Sequence, residues 1–153
     1  MNLFGTEHLK LFLQLAEERK KGDVKFTEDE ESIIQVMKEH PEFDKFWPMG
    51  DMAAAPQEIG EEIVNPFVHT ALHASIELQV NHLQPRYVAE TLSVLLNSGM
   101  DRHEALHQIG AIYADLFFKR FRKGDDFDDE EYAGRLKILI DEAEKSNDLK
   151  DYE

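Results

Sequence analysis

The amino-acid sequence predicts an all-α fold, a single-domain helical bundle of about five to six helices. Apolar residues recur at intervals of three and four along most of the chain, and residues that favour helix ends flank these stretches. No stretch of alternating apolar and polar residues indicates a strand. The 153 residues suffice for one domain with a sizeable core, so we assign residues 1–153 to a single helical domain.

The first helix is predicted close to the N-terminus. Leu9, Phe12 and Ala16 recur at helical spacing until the run Lys20–Gly22 ends the pattern. Charged residues interrupt this amphipathic segment, and no small-residue cleavage site follows it. It therefore lacks the features of a signal peptide.

The second helix is predicted over residues 28–39. Thr27 and Glu30 form a capping box at its start, and Pro41 ends it. Residues 48–62 contain Gly and Pro with few large apolar side chains, so we expect an irregular connector there.

The remaining helices are predicted from their end signals. Asn65 and Pro66 combine an N-cap residue with Pro at the first helical position, which predicts a helix to about Leu83. Pro85 opens the next helix, which runs through Asn97. The other predicted segments are a helix from Asp101 to Arg122, an acidic loop over 124–128, a helix from Asp128 to about Lys145, and a frayed tail over 146–153.

The composition excludes several classes of function. The net charge is −15, from 32 acidic against 17 basic residues, so a phosphate backbone would be repelled and we expect no nucleic-acid partner. The basic run Lys119–Lys123 lies where a helix should end and offsets the negative end of its dipole. The absence of Cys excludes disulfides and thiolate metal sites. No apolar run is long enough to span a membrane, and we expect a cytoplasmic protein.

Two pairs of histidines are the most informative feature of the sequence. His69 and His73 lie in NPFVHTALH, and His103 and His107 lie in RHEALH. Residues four apart on a helix share a face, with Cβ atoms about 5–6 Å apart, so each pair can reach one metal ion. Both pairs continue into apolar stripes, which predicts that the imidazoles point into the bundle.

The two pairs are also predicted to meet. Each pair lies near the N-terminal end of its helix, and one helix intervenes between them. In an up-down-up arrangement the outer two helices run parallel, which places both pairs at the same end of the bundle. We therefore predict one mononuclear metal site formed by His69, His73, His103 and His107.

Imidazole ligands suit zinc, iron, nickel or copper. We expect a transition metal ion, with zinc as the first candidate and iron as the second. A closed sphere of four histidines would be structural, whereas an open position would admit water or substrate. Glu77 is a further candidate ligand, and Glu104 is the candidate catalytic base for a hydrolysis. The sequence leaves open whether the protein is an enzyme.

The run HEALH also matches the His-Glu-x-x-His signature of zinc proteases. Asp101 and Glu104 form a capping box, which gives Glu104 a structural role at the start of its helix. The sequence shows neither substrate-binding strands nor a third ligand downstream, so we interpret the run as something other than a protease site.

A further arrangement combines His73-x-x-x-Glu77 with His103-x-x-x-His107. These two elements on inward-facing helices resemble part of a hemerythrin-type di-iron site. The resemblance is partial, because the final His-x-x-x-x-Asp element of that pattern is missing after His107.

Three short runs together resemble the bacterial family of unknown function DUF1841. They are HPEF at 40–43, NPFVHTALH at 65–73 and RHEALH at 102–107. The resemblance covers about residues 1–123 and implies a small helical cytoplasmic protein with no assigned activity. We interpret HPEF as a helix end, where Pro41 stops the helix and Phe43 packs into the core, rather than as a run that brings His40 to the metal. The acidic extension after Gly124 is interpreted as peculiar to this chain.

The rival hypothesis is a metal-free protein–protein interaction module that meets its partner through exposed Phe and Trp side chains. Under either hypothesis we expect neither a membrane nor a nucleic acid as partner. The identity of a protein partner or small-molecule substrate, and the formation of a homo-oligomer, are left open by the sequence.

Overall fold

A computed structural model describes the backbone of residues 3–150 and the side chains of residues 3–146. The chain forms two compact units, Met1–Leu78 and Gln79–Glu153. The single domain over residues 1–153 stays a prediction. No helix in the described part of the chain is long and apolar enough to cross a membrane.

Residues 3–150 contain six α-helices, two 3₁₀-helices and one small two-stranded sheet, which confirms the prediction of a mainly helical chain. The elements are α1 (Thr6–Glu18), α2 (Glu28–Glu39), a first 3₁₀-helix (Pro41–Phe43), a second 3₁₀-helix (Trp47–Ala54), β1 (Gln57–Ile59), β2 (Glu62–Val64), α3 (Pro66–His82), α4 (Arg86–Asn97), α5 (Arg102–Lys123) and α6 (Asp129–Lys150). The two 3₁₀-helices raise the number of helical elements above the predicted five to six.

The helix α2 begins and ends where the sequence predicts. The hydroxyl of Thr27 accepts from the backbone N–H of Glu30 at 3.1 Å, and the Glu30 carboxylate accepts from the Thr27 N–H at 2.9 Å, so the capping box is complete. The helix ends at His40, whose φ of −127° and ψ of 64° lie outside the helical region. Pro41 causes this ending, because a proline disfavours the helical conformation in the residue before it.

The core of the first unit joins side chains from α1, α2 and α3. The rings of Phe12 and Phe67 pack edge to face with their centroids 5.1 Å apart, and Met37 of α2 is fully buried in the same cluster. Burial of these large apolar groups supplies the main driving force for the unit.

Residues 48–62 do not form an irregular connector, so that prediction is wrong. They contain most of the second 3₁₀-helix, all of β1 and the first residue of β2, and these two strands form an antiparallel hairpin over residues 57–64 in which Glu58 lies opposite Ile63. Gly60, with φ of 65°, lies between the two strands, in a conformation that glycine adopts without a steric penalty. Each strand is only three residues long, which is too short for an alternating pattern to be visible in the sequence.

In the second unit α4, α5 and α6 pack against one another. Val88, Ile109 and Leu136, one from each helix, are buried. Gly124 adopts the left-handed conformation that ends α5, and residues 124–128 form the predicted loop.

The last helix is longer than the sequence pattern indicates. The pattern predicts its end at about Lys145 and a frayed tail over 146–153, but α6 continues to Lys150. The frayed tail is therefore wrong for residues 146–150, and residues 151–153 lie outside the described part of the chain.

Candidate metal site

The start of α3 fixes the position of two histidines. The side chain of Asn65 caps the helix, because its Oδ1 accepts from the backbone N–H of Val68 at 3.0 Å. Pro66 occupies the first helical position, where its missing N–H costs nothing. His69 and His73 consequently lie in the first and second turns of α3. Their rings stack, with the centroids 4.7 Å apart and the planes inclined by 25°.

A third histidine, His40, joins this pair from the end of α2. Its ring lies 4.8 Å from the His69 ring and 4.9 Å from the His73 ring, measured between centroids. His40 and His73 are buried, with 4% and 7% of their surface exposed, and His69 is half-buried. One ligand nitrogen from each of the three residues can be chosen so that all lie within 4.8 Å of one another.

The orientation of His40 is set by the backbone of its own helix. Its Nδ1 lies 2.9 Å from the carbonyl oxygen of Val36, one turn earlier. A carbonyl can only accept, so Nδ1 carries a proton, which leaves Nε2 as the ring nitrogen that can bind a metal ion. That Nε2 atom points towards His69 and lies 3.2 Å from its Nε2.

Imidazole nitrogens suit a transition metal, and the spacing between His40 and His69 can be compared with that of two ligands of one ion. With metal–nitrogen distances of about 2.0–2.1 Å and a tetrahedral angle, two imidazole ligands of one zinc ion lie about 3.3–3.4 Å apart. The observed 3.2 Å between the Nε2 atoms of His40 and His69 is close to that separation. A hydrogen bond that the non-ligating ring nitrogen donates to a backbone carbonyl, as His40 Nδ1 donates to Val36, is also typical of metal-bound histidine.

Sequence reasoning missed His40 as a member of this cluster. The interpretation of HPEF as a helix end with Phe43 in the core is confirmed, since Phe43 is 2% exposed, but the same helix end also delivers His40 to the other two histidines. A signal was present. Ile33, Met37 and His40 are spaced by four and three residues, so His40 continues the buried stripe of α2.

The other predicted pair, His103 and His107, lies in the second unit. The two rings approach each other to 4.5 Å between centroids at the start of α5, as their spacing predicts. His103 is exposed, which differs from the expected inward orientation. That this pair shares one metal ion with His69 and His73 stays a prediction.

The two candidate carboxylates have different surroundings. Glu77 is 8% exposed and lies one turn after His73 on the same face of α3, and its role as a ligand stays a prediction. Glu104 is exposed on α5. Asp101 caps α5 by accepting from the Glu104 N–H at 3.3 Å, but the Glu104 carboxylate accepts from Gln108 at 2.9 Å instead of completing a capping box.

These observations define the class of protein: a mainly helical chain with three clustered imidazoles in its first unit. The family model described as Domain of unknown function (DUF1841) matches residues 6–138, and the chain belongs to this family. The match continues beyond Gly124, so the segment interpreted as peculiar to this chain belongs to the family as far as residue 138. No curated protein and no solved structure matches the chain.

Proposed function

We propose that the protein binds a single transition metal ion through His40, His69 and His73, with zinc as the first candidate and iron as the second. The observation that carries this proposal is the 3.2 Å separation of the Nε2 atoms of His40 and His69. The ligands come from two helices, so a bound ion would join the end of α2 to the start of α3.

The chemistry of the ligands supports a borderline metal. The chain has no Cys, so thiolate-dependent sites are excluded, and neutral imidazoles suit zinc and iron. Three histidines leave one position of a tetrahedral ion for a fourth ligand. A bound ion would polarise a water molecule in that position, which is the chemistry of a hydrolytic site.

The sequence-based prediction supplies candidates for the remaining roles. His103 or His107 as the fourth ligand gives a closed, structural sphere, and water in its place gives an open site. With an open site, Glu77 or Glu104 is the candidate base. A di-iron arrangement of hemerythrin type, built on His73, Glu77 and the His103/His107 pair, requires two ions per chain.

Metal analysis of the purified protein tests the proposal directly. We expect one equivalent of zinc or iron per chain, and one equivalent of Co²⁺ bound by the metal-free protein with the absorption of a nitrogen-ligated ion. His40→Gln and His73→Gln should each abolish stoichiometric binding. His82→Gln, at an exposed position at the end of α3, is the matched control and should bind as the parent does.

The outcomes separate the hypotheses. Two ions per chain would favour the di-iron arrangement. Loss of binding in His107→Gln or His103→Gln would support a closed sphere. If the folded parent protein binds no Co²⁺, Zn²⁺ or Fe²⁺ in stoichiometric amount, the proposed function is wrong.

One observation in the first unit favours the hypothesis of a protein–protein interaction module. Met49, Met52 and Ile63 are at least half exposed, and the segment 47–64 that carries them contains no basic residue. The expectation that Trp is exposed is wrong, because Trp47 is 4% exposed. Sedimentation of the metal-free protein, compared with the Ile63→Ser variant, tests self-association through these exposed side chains.

A further inference from the structure

We infer that Phe43 is a positioning residue for the metal ligands: its ring holds His40 and His69 in the orientation that binds the ion. The inference rests on the proposed function. Phe43 is 2% exposed and belongs to the core cluster of the first unit.

One phenyl ring contacts two imidazoles in two favourable geometries. The rings of Phe43 and His40 stack with a centroid distance of 5.4 Å and an angle of 8° between planes. The rings of Phe43 and His69 meet edge to face, also at 5.4 Å, with an angle of 77°. Offset-stacked and edge-to-face arrangements are the ones that aromatic rings prefer. Phe43 therefore constrains ligands that come from two different helices.

The local sequence places the ring there. Pro41 opens a single 3₁₀ turn, and the backbone N–H of Phe43 donates to the carbonyl of His40 at 3.1 Å. A 3₁₀ turn brings residues three apart onto the same side, so the Phe43 side chain returns over the His40 ring. The same Pro that ends α2 thus also delivers the packing partner of His40.

The contacts of Val36 and Phe43 with His40 fix the orientation of a metal ligand, and metal affinity depends on that orientation. The Val36 carbonyl fixes the edge of the His40 ring, and Phe43 covers its face. Rotation of either imidazole would move its Nε2 away from the 3.2 Å separation that suits a shared ion. Groups that orient metal ligands typically contribute 10–100-fold to metal affinity.

Phe46 offers a matched control within the same segment. It is the same residue type, is 6% exposed and belongs to the same core cluster. Its ring lies beneath the ammonium group of Lys45, 5.1 Å from the centroid, and it makes no ring contact with a histidine of the described residues. Phe46→Leu therefore removes a similar volume from the core without removing a contact to a ligand.

The experiment compares Co²⁺ affinity and the visible spectrum of bound Co²⁺ in the parent protein, Phe43→Leu, Phe43→Tyr and Phe46→Leu. Circular dichroism first establishes that each variant is folded. We expect Phe43→Leu to bind Co²⁺ about ten-fold or more weakly, with a changed spectrum. Phe43→Tyr keeps the ring and should restore the parent spectrum, and Phe46→Leu should bind as the parent does.

Equal affinity and an unchanged spectrum in folded Phe43→Leu would overturn the inference while leaving the proposed function intact. An equal loss in Phe43→Leu and Phe46→Leu would also overturn it, because core volume alone would then explain the effect. Failure of the parent protein to bind Co²⁺ would instead reject the metal site itself.

Discussion

The Nε2 atoms of His40 and His69 lie 3.2 Å apart although the two residues are separated by 29 positions in the chain. Between them lie the two 3₁₀-helices and the short hairpin. Such short elements have little stability of their own and depend on the packing around them. An ion bound by residues at both ends of this segment would keep the two ends together and lower the conformational entropy of the segment.

Removal of the metal should lower the thermal stability of the protein. A ligand that binds only the folded state adds about 2.7 kcal/mol to the free energy of unfolding when its free concentration is about 100 times its Kd. We expect a chelator to lower the Tm of the parent protein by several degrees, measured by calorimetry. The Tm of His73→Gln should not respond to the chelator.

The size of the fall in Tm distinguishes a structural role of the ion from a catalytic one. A sharp fall in Tm indicates a structural ion. A small fall, together with loss of hydrolysis of an activated ester, indicates an open, catalytic site. An unchanged Tm in a protein shown to carry a full equivalent of metal would contradict both.

Metal binding should protect the backbone amides of residues 41–68 from hydrogen exchange more than it protects those of the loop over 124–128. His40 and His69 flank this segment, so loss of the ion releases the constraint on both of its ends. We expect amide hydrogen exchange in the segment to accelerate when the metal is removed, measured by mass spectrometry of peptides. The loop over 124–128 provides the internal control, and equal acceleration there would indicate general loosening instead of local release.

Most helix boundaries could be predicted because local chemistry decides them. The determinants act on the backbone within a few residues, through a cap, the restriction that a proline places on the residue before it, or a left-handed conformation; they are Thr27, Pro41, Asn65, Asp101 and Gly124. The hairpin could not be predicted in the same way. Its strands are paired by the backbone, and their few side chains carry no pattern.

The candidate site was predictable only in part, for a related reason. His69 and His73 share one helix, so their spacing alone places them together. His40 reaches them through the fold of the intervening segment, which the sequence does not reveal. Its place on the buried stripe of α2 predicts burial, but burial alone does not identify the residues that surround it.

Asn65 should contribute to stability through two separable hydrogen bonds. Its Oδ1 caps α3, and its Nδ2 donates to the carbonyl of Ala54 at 2.9 Å. We expect Asn65→Ala to lower the free energy of unfolding by about 1–2 kcal/mol in urea denaturation, because both the cap and the bond to Ala54 are lost.

Asn65→Asp separates the two contributions. The carboxylate keeps the cap and gains from the positive end of the helix dipole, but it cannot donate to Ala54. We therefore expect a smaller loss than in Asn65→Ala. An equal loss in both variants would mean that the bond to Ala54, and not the cap, carries the effect.

Tyr132 should make the protein less stable in alkali. The Tyr132 ring is 1% exposed and its hydroxyl donates to the Gln79 side chain at 2.8 Å. Burial, and then the charges of Tyr113 and Tyr87, raise its pKa above the ordinary value of 10.0. The pKa of Tyr87 is also raised, to about 12, by burial and by the neighbouring Asp129.

The direction of this pH dependence follows from whether the folded or the unfolded state holds the phenolic protons more tightly. Above about pH 10 the phenols of the unfolded chain ionise while those of the folded chain stay protonated, so the unfolded state is favoured as the pH rises. We expect the free energy of unfolding, measured in urea, to be constant just below pH 10 and to fall between pH 10 and 12. Tyr132→Phe should lose about 1 kcal/mol at pH 8, because the bond to Gln79 is removed, but should fall less steeply in alkali. A variant with the parent's slope would show that Tyr132 ionises as readily in the folded protein as in the unfolded chain.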